Sequence, residues 1–300
     1  MLVEHVEHEV VLDFFRRVRD RYTELSPSFR RVADYLLVNY RDAAFLPASR
    51  VAALADVSES VVVRFAAALG YSGYPEMLRA IQRIVKSELA PARRLTRDES
   101  GRLTRPLDES DGLHRVIGQD IDNLNLTAND PVTRSAFRKA AQLLTDARSV
   151  YCLGLRGLGN LAGLLGFLLN LGGKRCCIIT HGDAALFEQL YHIEAADVLV
   201  TFAFQRYTRR TVEAMEFARK RGARTVTITD SLASPAAQIA DVTLVAHVRS
   251  ESFFNSYVAA VSLINALVAA VVSEKFETAR EALERIEELL PEEDFLARGS

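Results

Sequence analysis

The apolar positions of this chain follow two rhythms. Between residues 25 and 88 they recur three and four apart, and beyond residue 149 they gather into short uninterrupted runs between helical stretches. The first spacing belongs to helices that bury one face, the second to strands covered on both sides. Val32, Leu36 and Tyr40 continue one helical stripe, with Ser26 as N-cap and Pro27 at the first helical position. Val51 and Ala55 share a face of a short helix, and Ala52 is small enough to let a second helix approach. Asp56-Val57-Ser58 interrupts the pattern. Ser58 is expected to cap the next helix by accepting one of its backbone N–H groups. That helix runs over 59–69, points Val62, Phe65 and Leu69 inward, and stops at Gly70. Gly70–Tyr74 then closes a bundle and leads into a helix over Pro75–Lys86, while Val10–Glu24 reads as an additional helix in front.

Pro91–Asp111 carries Arg, Thr, Ser, Asp and Glu with Pro91, Gly101 and Pro106, the composition of a linker. Helices follow over Leu113–Leu126 and from Asp130-Pro131 through Leu144. Strands are then expected at Ser149–Leu153, Arg175–Thr180, Asp197–Ala203, Thr225–Thr229 and Val242–Ala246. Between them lie helices at Leu158–Leu171, Ala184–Ile193, Thr208–Arg221 and a short one at Pro235–Ile239, and a long helix over Ser252–Val272 closes the series. Alternation of this kind predicts a doubly wound parallel sheet with helices on both faces. The chain therefore reads as multidomain, an all-α helix-turn-helix bundle followed by a five-stranded α/β unit. Its parts are expected at 1–90, at 91–130 (linker and connecting helix), at 131–275 and at 276–300, the last an acidic tail with Glu277–Asp294 as terminal helix.

The outward face of helix 59–69 carries Glu59, Ser60, Val63, Arg64 and Ala67. An ordinary solvated face would carry more Lys and Glu. Small, polar and methyl-bearing side chains around one Arg suit a major groove, where Arg reads guanine and short side chains permit close approach. Ser49 and Arg50 on the preceding helix, and Ser58 at the turn, complete the expected DNA-binding set.

The formal net charge of −2 does not announce a nucleic-acid binder, but Arg30, Arg31, Arg41, Arg50, Arg64, Arg79, Arg83 and Lys86 cluster in the first domain. About half of these are expected to be plain solvated helix faces. Cys152, Cys176 and Cys177, an odd count with an adjacent pair, fit neither a disulfide framework nor a zinc site and read as reduced thiols. Met1–Glu9 is acidic and lacks the apolar core of a signal peptide, and the apolar helix Tyr257–Val272 is too short to span a membrane and carries Ser262 and Asn265. A cytoplasmic location, away from membranes, is expected.

Residues 25–82 resemble the N-terminal domain of the RpiR/MurR family of bacterial transcriptional regulators. The resemblance rests on Leu25-Ser-Pro, Arg30-Arg-Val-Ala, Leu54-Ala, Val57-Ser, Val62-Val-Arg-Phe, Leu69-Gly-Tyr and Gly73-Tyr. Val61 departs from it, standing where the family usually has Thr. Ala136–Ser273 resembles the sugar isomerase (SIS) domain through Thr229-Asp-Ser231, Ser234-Pro235, Ala240-Asp241, Ala218–Ala223 and Ser256. The resemblance implies operator DNA as partner, a phosphosugar-like effector, and a homodimer or tetramer.

In such sheets ligands sit at the carboxyl ends of the strands. The loops Gly154–Asn160 and Ala203–Thr208 follow the first and third expected strands. Phosphosugar-binding SIS domains resemble Ser-x-Ser-Gly-Glu-Thr in the second loop. Here Ala203, Gln205, Arg206 and Tyr207 stand at the altered positions and Thr208 is retained, while in the first loop Arg156 and Leu158 replace Gly and Ser. A guanidinium holds carboxylate or phosphate with paired hydrogen bonds. The effector, a small anionic metabolite, is thus expected at Arg156, Gly157, Ala203, Gln205, Arg206 and Thr208, with Ser256. Arg156 blocks the Gly that a dinucleotide loop needs, and no cofactor or metal is expected. His181, Glu188 and His192 match no isomerase motif, so catalytic residues are expected to be none. Two alternatives stay open: a sugar-phosphate isomerase with an accessory domain, and a DNA-binding protein whose second half is only a dimerisation scaffold.

Overall fold

The computed structural model describes residues 14–88, 112–250 and 254–289. The chain divides into two compact units, Met1–Pro106 and Leu107–Ser300. The linker expected at Pro91–Asp111 and the end of the acidic tail lie outside the described residues.

The first unit is helical. Residues 14–21 form α1, followed by a 3₁₀ turn at Tyr22–Glu24, α2 (Pro27–Ala43), α3 (Ala48–Leu54), α4 (Glu59–Ala68) and α5 (Tyr74–Glu88). The Ser26 hydroxyl accepts the Phe29 N–H at 3.4 Å with Pro27 in the first turn. Phe14, Val32, Leu36, Val51, Val62, Phe65 and Leu69 fill the core without exposure. Gly70, at φ +84°, ends α4 as a left-handed stop. The expected cap at Ser58 is corrected. Ser58 occupies the N-cap position, but its hydroxyl makes no cap bond to the helix backbone and pairs instead with the Ser60 hydroxyl at 3.0 Å. A nearby hydroxyl on an exposed turn competes with the backbone for that bond.

The second unit opens with α6 (Gly112–Asn129) and α7 (Pro131–Asp146), the latter capped by Asp130 accepting the Thr133 N–H at 2.7 Å. Then come β1 (Val150–Gly154), α8 (Gly159–Leu171), β2 (Cys176–Ile179), α9 (Ala185–Gln189), β3 (Val198–Ala203), α10 (Arg209–Lys220), β4 (Arg224–Thr229) and β5 (Val242–Val245). The chain continues through α11 (Val258–Glu274) and α12 (Phe276–Leu289). The five strands pair in the order β2-β1-β3-β4-β5, and every pair is parallel. One apolar layer joins one face of the sheet to α7, α8 and α11 around Leu144, Leu165, Phe202 and Ile264; the other joins the opposite face to α9 and α10 around Leu153, Leu186 and Met215.

Two expectations in this unit are corrected. Pro235–Ile239 forms turns rather than a helix. Just beyond it the Asp241 carboxylate takes the Thr225 N–H at 2.8 Å and the Thr225 hydroxyl at 3.0 Å, drawing the chain into β5 before a helix can complete. The closing helix starts at Val258, not at Ser252. Ser256 gives its N–H to Val248 O and its hydroxyl to Asp120, so the chain there is tied to the body instead of coiling.

Candidate functional site

Two sets of residues stand out, one on each unit. On the first, Ser60, Val63, Arg64 and Ala67 lie along one exposed face of α4, with Glu59 and Ser58 at its start. Ser49 and Arg50 are exposed in the first turn of α3. Val63 keeps 42% of its surface exposed although it is apolar. Behind this face Phe65 meets Phe29 edge-on at 5.9 Å, which holds the helix against α2. Arg64 Nε donates to Ser60 O at 3.3 Å, one turn back, leaving the terminal nitrogens of the guanidinium uncommitted among the described residues.

Sequence reasoning missed what fixes the far end of α4. Arg17 of α1 donates to Leu69 O and Gly70 O, both at 3.2 Å, lies 4.5 Å from the Tyr71 ring, and is joined by Arg21, which donates to Ala68 O. Two guanidinium groups thus satisfy the carbonyls that a helix leaves open at its C-terminus, where the dipole favours positive charge. Nothing in the local pattern reveals contacts made across some fifty residues. Arg30, counted among the basic cluster, is used internally: it donates to Thr23 O at 2.9 Å.

On the second unit, the strand order reverses between β1 and β3, because β2 lies on one side of β1 and β3 on the other. Gly154 pairs with Phe202 across this switch point, so the loops after β1 and β3 emerge side by side. Each carries an arginine in the left-handed region, Arg156 at φ +60° and Arg206 at φ +71°. This conformation costs an ordinary residue roughly 1–2 kcal/mol. Both side chains are exposed, and among the described residues neither guanidinium has a hydrogen-bond or ion-pair partner. Arg209 and Arg210 differ, since both are tied to Glu213, at 2.8 and 3.0 Å. Gly157 is exposed, Ala203 buried and Gln205 half-buried. Thr208 is the N-cap of α10, and its hydroxyl makes no cap bond. Ser256 lies on the segment before α11, its hydroxyl given to Asp120.

The residue that organises the second loop is Asp230, noticed in the sequence only as part of Thr229-Asp-Ser231. Its carboxylate accepts the Gln205 N–H at 3.0 Å and the Tyr207 hydroxyl at 2.7 Å. Burial pushes this carboxyl above the usual carboxylate range, although the bonds from Tyr207, Gln205 and Thr229 pull the other way. His181 lies 2.9 Å from the Thr180 hydroxyl, and Glu188 and His192 are exposed. Among the described residues no group of three His, Cys, Asp or Glu is placed to hold a metal ion, and no single helix is long and apolar enough to cross a membrane.

Residues 13–88 match the family model described as a helix-turn-helix domain, rpiR family, and residues 143–270 match that of the SIS domain. The sugar isomerase domain of an RpiR transcription factor from Sphaerobacter thermophilus is 31% identical, with a TM-score of 0.57; the match covers 59% of this chain and 99% of that one. The chain belongs to the RpiR family. This RpiR protein is a helix-turn-helix transcriptional regulator with a SIS domain. It is also similar to the HTH-type transcriptional regulator TTE0211 of Caldanaerobacter subterraneus subsp. tengcongensis, at 25% identity over 93% of this chain and 97% of that one. The Vibrio vulnificus NanR protein, solved in complex with ManNAc-6P, shares the architecture: TM-score 0.63, 21% identity, 92% of this chain and 97% of that one.

Proposed function

We propose that this regulator reads operator DNA with α4 and binds a small anionic metabolite, a sugar phosphate or sugar acid, at the switch point between β1 and β3. Arg64 faces guanine, Val63 offers its methyl groups to thymine, and Ser60, Glu59 and Ala67 allow close approach. Ser49, Arg50 and Ser58 meet the backbone, whose phosphates make affinity fall with salt. The protein works in the cytoplasm as a homo-oligomer, and two copies match a two-fold related operator.

The observation that carries the effector site is the pair of arginines, without partners among the described residues, held at positive φ on adjacent strand ends. Strain of this kind persists where it serves a function. A guanidinium pair supplies a carboxylate or phosphate with the donors that the missing loop hydroxyls would have given. Gly157, Ala203, Gln205 and Thr208 shape the floor, and Ser256 borders it from the segment before α11, where its neighbour Tyr257 meets the Phe204 ring at 5.3 Å. The ManNAc-6P bound to the NanR protein, which shares this architecture, supports a ligand of this class.

One observation favours a second reading, that the SIS domain is a scaffold only. The Gln205 N–H, a donor an anion could use, is already taken by Asp230. Thermal unfolding across a panel of sugar phosphates, sugar acids and simple carboxylates decides between them. A rise in Tm with one compound, absent in Arg156→Gly, supports the anion site. Unchanged Tm with every compound supports the scaffold.

A further inference from the structure

Arg206 is flanked on both sides by residues tied to one carboxylate. Asp230, the first residue beyond β4, accepts the Gln205 N–H on Oδ2 at 3.0 Å and the Tyr207 hydroxyl on Oδ1 at 2.7 Å. The Thr229 hydroxyl adds a longer bond to Oδ1, at 3.4 Å. β3 and β4 stay in register up to Ala203 and Thr229, so Asp230 sits at the root of the loop that follows β3. Its bonds to the two neighbours of Arg206 stabilise a turn that an arginine at φ +71° does not adopt freely.

No cation answers this charge. Among the described residues Asp230 has no ion pair: Arg209 and Arg210 are bound to Glu213, and Arg156 and Arg206 are exposed and without partners. The groups that face the carboxylate are the Gln205 amide and Tyr207 phenol from the loop after β3, and the Thr229 hydroxyl from β4. All three are neutral donors. Burial raises the pKa of this carboxyl, and the donors offset only part of that rise.

An uncompensated negative charge thus lies under the loop that carries Arg206. It already does what a bound anion would do, because it accepts the loop's backbone donor. A second anion placed over the loop meets like-charge repulsion, which disappears when Asp230 takes up a proton. We propose that Asp230 is the positioning residue of the effector site, an internal anion whose neutralisation accompanies binding of the effector's anionic group. The protonated carboxyl still accepts the Gln205 N–H through its carbonyl oxygen, so the loop keeps its shape while losing the charge. The proton comes from solvent and no covalent bond changes in the ligand. The proposal rests on the reading of this sheet edge as an anion site. Anion affinity is then full where Asp230 is already neutral. It falls as pH rises through the pKa of the free protein, by at most about tenfold per pH unit, and levels off once Asp230 is ionised in the complex as well.

The test is calorimetric titration of the full-length protein with inorganic sulfate, whose own charge is constant from acid to neutral pH. Buffers of different ionisation enthalpy count the protons taken up, and the binding event followed is the one that Arg206→Gly removes. The wild type is expected to take up part of a proton per sulfate and to bind more weakly as pH rises. Asp230→Asn keeps an oxygen for the Gln205 N–H; it should lose the uptake and bind sulfate at least about tenfold more tightly at neutral pH. Tyr207→Phe keeps the carboxylate but removes a donor that favours its charged form, so its pH profile should move to higher pH, a shift that a weakened fold alone does not produce. His181 and Asp183, exposed in the loop after β2, are present in all these proteins, and what they contribute cancels in the differences. Sulfate binding by Asp230→Asn alone would also support the proposal, the internal anion then excluding the external one. Proton uptake and a pH profile that are the same in wild type, Asp230→Asn and Tyr207→Phe overturn the proposal and leave the anion site standing. If Asp230→Asn fails to fold, identical profiles in wild type and Tyr207→Phe overturn it. No binding by any of them, or only binding that Arg206→Gly leaves in place, overturns both readings.

Discussion

Tyr207 gives its hydroxyl to Asp230 Oδ1 at 2.7 Å, joining the loop after β3 to the end of β4. The same carboxylate takes the Gln205 N–H, so a single buried acid sets the shape of the loop that carries Arg206. Tyr207→Phe removes one bond and leaves the other, and is expected to cost about 1–2 kcal/mol of stability. Chemical denaturation of the two proteins measures it. An unchanged midpoint would show that the loop keeps its shape without Tyr207.

Asp230 also gives the fold a pH signature. Its folded-state pKa is raised, with burial as the largest cause, so the folded protein holds this proton more firmly than the unfolded chain. The stability from that site is fully present below the unfolded pKa of about 4 and is lost as pH rises through the raised folded value. Asp230→Asn removes the dependence. The stability difference between wild type and Asp230→Asn, followed by denaturation from acid to neutral pH, should shift against the wild type as pH rises. A flat difference would contradict this assignment.

Arg156→Gly and Arg206→Gly should separate stability from response. Glycine adopts positive φ freely, so each change relieves strain and, after the entropy of glycine is offset, stabilises the protein by about 0.5–1 kcal/mol. Each should also abolish any effector-induced rise in Tm. Destabilisation by both would mean that the arginines serve the fold rather than a ligand.

Arg64→Ala is expected to lose about 1–3 kcal/mol of specific operator affinity and to relax selectivity at one base pair. Arg50→Ala should weaken all sequences alike and reduce the salt slope by about one. Fluorescence anisotropy with operator and scrambled duplexes distinguishes the two; wild-type affinity in Arg64→Ala would take it out of base reading.

Arg17 and Arg21 are expected to matter without touching DNA. Replacing both by Ala opens the carbonyls at the end of α4 and should cost about 1 kcal/mol, seen in the unfolding of the first unit. Lys at both positions should recover part of it.

Much of this was legible in the chain. The stripe Val62, Phe65, Leu69 and the stop at Gly70 gave α4 its faces, because helical periodicity is a local property. The five apolar runs gave the parallel sheet for the same reason. Pro235–Ile239 misled because five residues of helical composition cannot outweigh the Asp241 carboxylate that captures Thr225. Ser58 misled because a second hydroxyl, Ser60, lay in reach. The bonds that Asn123 and Thr127 of α6 make to a segment some 120 residues away were invisible, since no local spacing reveals a partner so far along the chain. Arg156 and Arg206 could be read as departures from a loop pattern, but the positive φ of both and the Asp230 brace on the loop of Arg206 belong to the fold.

The coupling of DNA reading to anion binding is tested most directly by titrating the protein onto its own upstream intergenic DNA, with and without the anion panel, in wild type and in Arg206→Gly. Specific wild-type binding is expected, changed at least about fivefold by one compound, the scale of a modest coupling energy. Arg206→Gly should bind the same DNA and ignore the compound. Specific binding that no compound alters, or no specific binding at low salt, would contradict the account.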